Sequence, residues 1–545
     1  MQVAIQPLTT GAAMGYVALW AVIAAIVLVL RDLRAGERLT RSQMWLVATP
    51  VIALSAVALF FARGIEADVT EHIHSTWLML QGERPFLDFF CHHSPLLYYL
   101  LMPLADALPD SAVVLDAARA FTLVLAIVGA ALVVAISRRL WGRDMDLWAV
   151  GLVASSAIWL QMTALRPDIP ATLLAMGAVL LFATSRGRRA ALISGGLLGL
   201  GLCLMPKPLP LVLLGPLIVW WQRASSEDEA ERMEWAEAGL YTLGALIAPA
   251  LLALWLWHLG LFGAAWEWVI AFNGQVQFSA LPDAIFFHFP LGIMALAVAA
   301  CVHFERTGRL RVGRMEKTFL VALLLAMLVG ILRRYSYNNQ LAVLLAAGMA
   351  AGPARWTWHW LSKRSIVLAS LALMIVLSHF IVPAVNSIYG REYLRARTAT
   401  QALMDISEGE AVLCKLEHHP LVRHDAIDLW QHWQWSYYLS HPMVRERLEG
   451  FADELIRTRP AIVFKQDDIF PPLLEQFAGE GLIDDQEAAR LDSFLAGNYR
   501  LLDLNHPAPA LLWVRNDLVG RIPPRAGEIV PHETTMATDG TPGRG

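Results

Sequence analysis

The chain has 545 residues, of which 57% are hydrophobic and 17% charged, and its mean hydropathy of +0.49 excludes an ordinary soluble enzyme. A net charge of -4, without a basic stripe of interleaved aromatic residues, excludes nucleic acid as a partner. Uncharged stretches recur at about the 20 residues that a helix needs to cross the hydrocarbon core of a bilayer. The sequence therefore predicts an all-α polytopic protein whose partners include membrane lipids.

The apolar stretches predict about twelve transmembrane helices. We place them at residues 12–30, 44–62, 115–136, 146–163, 169–184, 189–205, 209–222, 238–259, 284–304, 318–332, 341–352 and 365–384. The N-terminus lacks the positive region of a signal peptide, so we expect the first helix to be retained with its N-terminus outside. Basic residues concentrate in alternate connections, as at Arg138 and Arg139, and the positive-inside rule assigns those connections to the cytoplasm.

The first outer connection contains a short apolar piece, residues 95–108, with Pro103 inside it. Fourteen residues are too few to cross a bilayer, so we expect this piece to lie along the outer surface. If this piece crossed the membrane, every later loop would change sides, and the basic loops would then lie outside, contrary to the positive-inside rule. The first outer loop is therefore long and carries interfacial helices.

After the last predicted span the sequence becomes mixed and polar. Strand-like runs at 411–414, 461–464 and 510–514 alternate with charged helical stretches and predict a small α/β domain. The predicted segments are two N-terminal helices (1–62), an outer loop with the candidate active site (63–114), a transmembrane core (115–384), an extracytoplasmic α/β domain (385–522) and a disordered tail (523–545). This organisation is typical of a bacterial inner-membrane protein whose active site and C-terminal domain face the periplasm. Four scattered cysteines make no disulfide framework, although a bridge between Cys91 and Cys414 is an option.

Carboxylates and histidines concentrate in the first outer loop. Read as a helix, its first part puts Val69, Ile73, Trp77 and Leu80 on one face and Asp68, Glu71, His72 and Ser75 on the other; Asp88, His92 and His93 follow. One explanation is that an interfacial helix simply needs a polar face. A second is a zinc site formed by His72, Asp88, His92 and His93, although this spacing matches no tight metal motif. The third is a catalytic site.

Further charged residues fall in other predicted outer connections. They are Arg166 and Asp168 around Pro167, Lys207 between two prolines, and the pair Arg333 and Arg334. The helix dipole alone would explain Asp168, and snorkelling would explain Lys207. All of these residues fall on the predicted outer face of the membrane, which favours a catalytic site. A carboxylate base there can activate an acceptor hydroxyl while cations stabilise a departing phosphate. Outside the cytoplasm, such a phosphate donor would be carried on a lipid.

These motifs resemble the GT-C superfamily of integral-membrane glycosyltransferases, in particular the protein O-mannosyltransferases and the bacterial aminoarabinose and galacturonic acid transferases. The resemblance covers residues from about 40 to 385. Family members begin the first outer loop with an Asp-Glu pair about fourteen residues before a glycine, as Asp68 precedes Gly82. The run from Asp88 to Leu96 resembles the family's continuation of that loop, and Asp168 corresponds to its second acidic residue.

The resemblance implies catalytic roles for Asp68, as the general base, and Asp168. It implies a polyprenyl-phosphate-linked sugar as donor, inversion at the sugar, and a lipid, glycan or protein as acceptor. The residues expected to bind the lipid phosphate are Arg166, Lys207, His93, Arg333 and Arg334. The residues expected to support the site are Glu71, His72, Asp88 and His92. Val69 stands where the family has the second acid of the pair, so either Glu66 or Glu71 replaces that acid or the use of metal differs, and a divalent metal ion on Asp68 and Asp168 stays an open option. His93 stands where many relatives have a lysine.

Two other classes of function compete with the glycosyltransferase. A transporter or flippase of lipid-linked sugars should carry ionisable groups near the bilayer midplane and repeated halves, and the sequence shows no convincing internal repeat. A noncatalytic envelope assembly or sensor protein would use its outer C-terminal domain to bind a partner, with His418, His419 and Asp425 as ordinary surface residues.

Overall fold

The computed structural model describes residues 65–108, 110–154, 162, 164–224, 233–275, 313–332, 339–364, 392–415, 418–427, 439–467, 472–504, 510–523 and 528–530. The predicted spans at 12–30, 44–62, 284–304 and 365–384 lie outside these residues, as do Arg333 and Arg334. The twelve-helix count therefore stays a prediction.

The first part of the described chain is helical throughout. Its helices are α1 (Ala67–Leu80), α2 (Leu96–Ala107), α3 (Val113–Trp141), α4 (Asp146–Ala154), α5 (Asp168–Thr184), α6 (Arg188–Leu204), α7 (Leu214–Ala224), α8 (Trp235–His258), α9 (Arg314–Leu332) and α10 (Gln340–Arg364). Short 3-10 turns occupy Arg143–Met145 and Leu209–Leu213, and Phe262–Ala265 continues as the π-helix Trp266–Phe272 and the turn Asn273–Gln275. The short span expected at 341–352 belongs to the 25-residue α10. As predicted from its length, α2 has only 12 residues.

Two described helices, α3 and α8, are long and apolar enough to cross a membrane by length and composition. Large apolar side chains also point outward from the bundle: Trp220 and Leu254 are 66% exposed and Trp257 is 72% exposed. In water such a surface would favour aggregation, whereas in a bilayer it contacts hydrocarbon. The outward face thus supports the membrane setting predicted from composition.

Helices α6 and α8 pack backbone to backbone at a run of glycines. A Cβ on Gly199 would lie 2.7 Å from the carbonyl oxygen of Ala245, and Gly195 and Gly244 meet the opposite backbone still more closely. Small residues of this kind permit close helix packing where hydrocarbon surrounds the bundle. This contact fixes α6, whose C-terminal end leads into the turn that carries Lys207.

We expect Gly199→Ala to destabilise the protein by about 1–3 kcal/mol, because the added methyl group overpacks a backbone contact that cannot move aside. Gly196→Ala is the matched control, since a Cβ there meets nothing within 4 Å. The midpoint of thermal unfolding in detergent, followed by loss of the monodisperse peak in size-exclusion chromatography, measures both. Equal midpoints for the two variants would show that the close contact is absent.

The C-terminal part is a mixed sheet with helices. Its elements are α11 (Glu392–Ile406), β1 (Val412–Leu413), α12 (Pro442–Leu448), α13 (Phe451–Thr458), β2 (Ile462–Asp467), α14 (Leu473–Gly479), α15 (Asp485–Asn498), β3 (Tyr499–Leu504), β4 (Ala510–Arg515) and β5 (Glu528–Val530), with a 3-10 turn at Asn516–Arg521. The strand order is β1-β2-β4-β3-β5, and only β1 and β2 pair in parallel. Strands β1, β2 and β4 confirm the three predicted runs.

One expectation from the sequence is wrong at residues 528–530, and one option that it left open is not realised. Strand β5 falls in the predicted disordered tail, but it pairs with β3, and Leu501 lies opposite Val530. The backbone hydrogen bonds that β5 forms with β3 order this short segment, although the surrounding sequence is rich in glycine and proline. Cys91 and Cys414 form no bridge; both are buried free thiols.

Candidate active site

Helix α1 carries the polar face predicted for the first outer loop, and that face is turned into the protein. Every residue from Val69 to Thr76 is buried, including Glu71 and His72. Helices α2 and α3 and the C-terminal part of the chain cover it, so its polar residues contact protein groups rather than water. Asp68 lies in the first turn, where the helix dipole favours a negative charge, and it remains partly exposed.

Four side chains form a row of alternating charge beside the start of α1. The Asp68 carboxylate lies 2.5 Å from the Arg166 guanidinium, whose Nε lies 3.7 Å from Asp168. The second oxygen of Asp168 lies 2.5 Å from Nζ of Lys207. We call Asp68, Arg166, Asp168 and Lys207 the charge row. The sequence placed these residues in three separate loops, and the structure brings them together.

Local structure explains how three loops meet here. Pro167 caps α5, so that Asp168 opens the helix and Arg166 precedes it. Lys207 sits in the turn between α6 and the 3-10 segment Leu209–Leu213. Helices α5 and α6 pack along their lengths, which holds their connected ends together.

The two carboxylates of the charge row differ in exposure. The Asp68 side chain is 29% exposed and the Asp168 side chain only 6%. Asp68 is thus open to an incoming molecule, whereas Asp168 is held between two cations. Asp68 is therefore the more accessible carboxylate of the two.

A second group adjoins the charge row. Oε1 of Glu71 lies 3.5 Å from Nδ1 of His92 and 3.8 Å from Nε2 of His93, and the rings of His72 and His93 are 5.0 Å apart. The side-chain amide of Asn273 donates to the His92 carbonyl oxygen at 2.8 Å and fixes this stretch of the loop. All residues of this group thus belong to the first outer loop, and Asn273 from the segment after α8 holds them in place.

Burial sets the protonation of this second group. It lowers the pKa of His72 to about 4 and that of His92 to about 3, and it lowers the pKa of His93 well below its usual value. Burial and the neighbouring Asp68 charge raise the pKa of Glu71. The imidazoles of His72 and His92 are therefore neutral at neutral pH, which is the form that ligates metals.

The charge row opens onto an apolar crevice. Asp168 and Lys207 lie on its wall together with Thr172 and Gln340, and the rest of the lining is largely apolar, including Leu211, Leu325, Val329 and Leu341. One wall of this apolar crevice thus carries a cation, Lys207, and its counter-ion, Asp168. A phosphate attached to a long hydrocarbon chain has this combination of properties.

The other predicted site residues lie elsewhere. Asp88 pairs with Arg84 at 2.8 Å near the surface, so it is no part of a zinc site with His72, His92 and His93. Among the described residues, neither group with metal-ligand geometry contains Asp68 or Asp168, and both of these carboxylates pair with cations. Sequence reasoning missed Gln340, the first residue of α10, and His74 on α1.

Comparison with solved structures identifies the fold. ArnT from Cupriavidus metallidurans bound to undecaprenyl phosphate is 12% identical, with a TM-score of 0.55 over 89% of this chain and 99% of that chain. Its apo state, also 12% identical, gives 0.56 over 87% and 98%. The apo Archaeoglobus fulgidus oligosaccharyltransferase is 11% identical, with 0.49 over 85% and 74%. No family model and no curated protein matches the sequence. The ArnT likeness confirms the fold that the sequence resemblance implied.

Proposed function

We propose that this GT-C chain transfers a sugar from a polyprenyl-phosphate-linked donor to a lipid, glycan or protein acceptor on the periplasmic face of the membrane, with inversion at the sugar. The observation that carries the proposal is the charge row at an apolar crevice, with one carboxylate exposed and two cations beside it. The undecaprenyl phosphate in the related ArnT structure supports the same donor class.

In this reaction Asp68 acts as the general base. Its exposed carboxylate accepts the proton of the acceptor hydroxyl while the oxygen attacks the anomeric carbon from the face opposite the phosphate. The adjacent Arg166 guanidinium holds the Asp68 carboxylate in place beside the crevice. Direct displacement by the acceptor inverts the configuration of the sugar.

The cations of the charge row stabilise the leaving phosphate. Lys207 lines the crevice and Arg166 adjoins it, so both can neutralise the charge that develops as the sugar–phosphate bond breaks. Asp168 contacts both cations and orients them, while the apolar wall accommodates the polyprenyl chain. Phosphate leaves without a proton, so no general acid is needed.

The group of Glu71, His92 and His93 fits a divalent metal ion, because one carboxylate and two neutral imidazoles form a common donor set for zinc. A metal held there would supply positive charge to the site. The steps assigned to Asp68, Arg166 and Lys207 do not pass through it.

The donor class can be tested in cells. We expect cells that lack the protein to accumulate one polyprenyl-phosphate-linked sugar, because synthesis of the donor continues after its consumption stops. Mass spectrometry of the lipid extract measures that species, and re-expression of the protein should remove it. An unchanged lipid profile together with unchanged envelope glycans would contradict the proposed function.

A further inference from the structure

A second cluster of ligating side chains lies on the other side of α1 from the charge row. His74, in the middle of α1, meets His419 and Asp425 from the C-terminal part of the chain. Both imidazoles are fully buried and Asp425 is 5% exposed. Nε2 of His74 lies 2.8 Å from one oxygen of Asp425, and Nε2 of His419 lies 3.1 Å from the other. We call these three residues the bridging triad.

Hydrogen-bond chemistry indicates that the triad holds a cation. Nδ1 of His74 lies 2.5 Å from the carbonyl oxygen of Leu421, which only accepts, so Nδ1 carries the ring proton. In a neutral imidazole Nε2 is then a lone pair, and here it faces a carboxylate oxygen. Two acceptors at this distance repel each other unless a proton or a metal ion lies between them.

The second imidazole decides between these options. The rings of His74 and His419 are 4.1 Å apart, and both direct Nε2 at the same carboxylate. Protons on both Nε2 atoms would give His74 two ring protons and so bury an imidazolium at this site, which is costly. One divalent ion satisfies all three groups at once. A histidine that ligates zinc through one nitrogen commonly donates its other N–H to a backbone carbonyl, as His74 does to Leu421.

The loop that carries His419 and Asp425 is held firmly in place. Arg423 donates to the backbone oxygens of Ser407 at 2.9 Å and Met404 at 2.7 Å, and it pairs with Asp110 of the first outer loop. Leu421 adopts a left-handed backbone conformation with φ 62°, rare for a branched side chain, and its carbonyl faces His74. The donor atoms are thus preorganised before a metal binds.

We propose that His74, His419 and Asp425 form a zinc site that joins helix α1 to the C-terminal part of the chain. Two imidazole nitrogens and one carboxylate oxygen, all within 4.8 Å of one another, leave room in a tetrahedral shell for one water. The site is distinct from the group of Glu71, His92 and His93, and its place on α1 lets the C-terminal part fix the helix that carries Asp68.

Zinc titration of the purified full-length protein in detergent, after chelator treatment, tests this site. The Glu71→Gln background removes the other donor set, so the remaining stoichiometry reports the triad. In that background we expect one bound zinc per chain. Adding His419→Ala should weaken binding by more than the 10- to 100-fold that loss of an outer-shell partner costs. Absence of zinc in the Glu71→Gln protein, or equal affinity after His419→Ala, would overturn the proposal.

A cobalt experiment covers the case in which His419→Ala fails to fold. His419→Cys in the same background replaces one ligand by a thiolate, so bound Co²⁺ should show a thiolate-to-cobalt charge-transfer band. The parent protein should lack the band, because its described cysteines Cys91, Cys203 and Cys414 lie outside the triad. Co²⁺ binding to the His419→Cys protein without that band would exclude residue 419 as a ligand.

Discussion

Replacement of Asp68 by asparagine is expected to lower the rate of sugar transfer by about 10²- to 10⁴-fold, the usual contribution of a general base. Asparagine has nearly the same shape, but its amide does not accept the acceptor proton. The effect should appear in kcat, because the carboxylate acts in the reaction step and the donor binds at the cations. Transfer of labelled sugar from a polyprenyl-phosphate donor by the purified protein measures it.

Asp88→Asn is the matched control for this variant. Asp88 lies in the same loop and also pairs with an arginine, but its partner Arg84 is at the surface and outside the charge row. We expect Asp88→Asn to keep nearly full activity. Thermal midpoints of both variants separate a catalytic loss from a loss of folding, since Asp68→Asn also removes the contact with Arg166. Full activity of a folded Asp68→Asn protein would disprove the assignment of the base.

Replacement of Lys207 by methionine is expected to lower kcat/KM for the lipid donor by about 10²-fold or more, as expected when one member of a buried charge pair is removed. Methionine keeps much of the apolar stem but leaves Asp168, 6% exposed, with Arg166 at 3.7 Å as its remaining cation within the described part of the chain. Lys363→Met, a change at an exposed lysine at the end of α10, should leave kcat/KM unchanged. An unaffected Lys207→Met enzyme would remove Lys207 from the phosphate site.

Lys207→Arg adds a test by pH. Burial, together with the charge of Arg166, lowers the pKa of Lys207, and the Asp168 charge opposes the shift only in part. The amine therefore loses its proton, and with it the ability to neutralise phosphate, at a lower pH than a free lysine. Arginine stays protonated at any pH of the assay, so the alkaline decline in kcat/KM should move to higher pH. The same decline in both proteins would mean that another group titrates.

The sequence was sufficient to predict most of the charge row, because charge bias and the order of outer loops do not depend on packing detail. Asp68, Arg166, Asp168 and Lys207 all fell on one predicted face, and they meet in the structure. Asp88 looked equivalent to its neighbours in sequence, yet local pairing with Arg84 at i−4 takes it away from the site. The spacing of residues in the sequence does not reveal that Arg84 competes with the site residues for Asp88.

His74 shows why the rest escaped prediction. In sequence it is one more histidine beside His72, and its partners lie about 350 residues further along the chain. Under one alternative, the sequence allowed His419 and Asp425 to be ordinary surface residues, whereas both are buried against α1. Only tertiary packing brings them together. Strand β5 was missed for the same reason, since its pairing with β3 is not encoded in its own short segment.

The pairing of Lys207 with Asp168 bears on how turnover ends. A donor phosphodiester carries one negative charge, whereas the spent polyprenyl phosphate is a monoester with a charge of about −1.5 to −2 at neutral pH. Both must compete with Asp168 for the same ammonium group. Under the proposed function the product would win that exchange more readily than the substrate. Under that function, renewed pairing of Asp168 with Lys207 would offset part of the tighter hold on the spent carrier and so help its release.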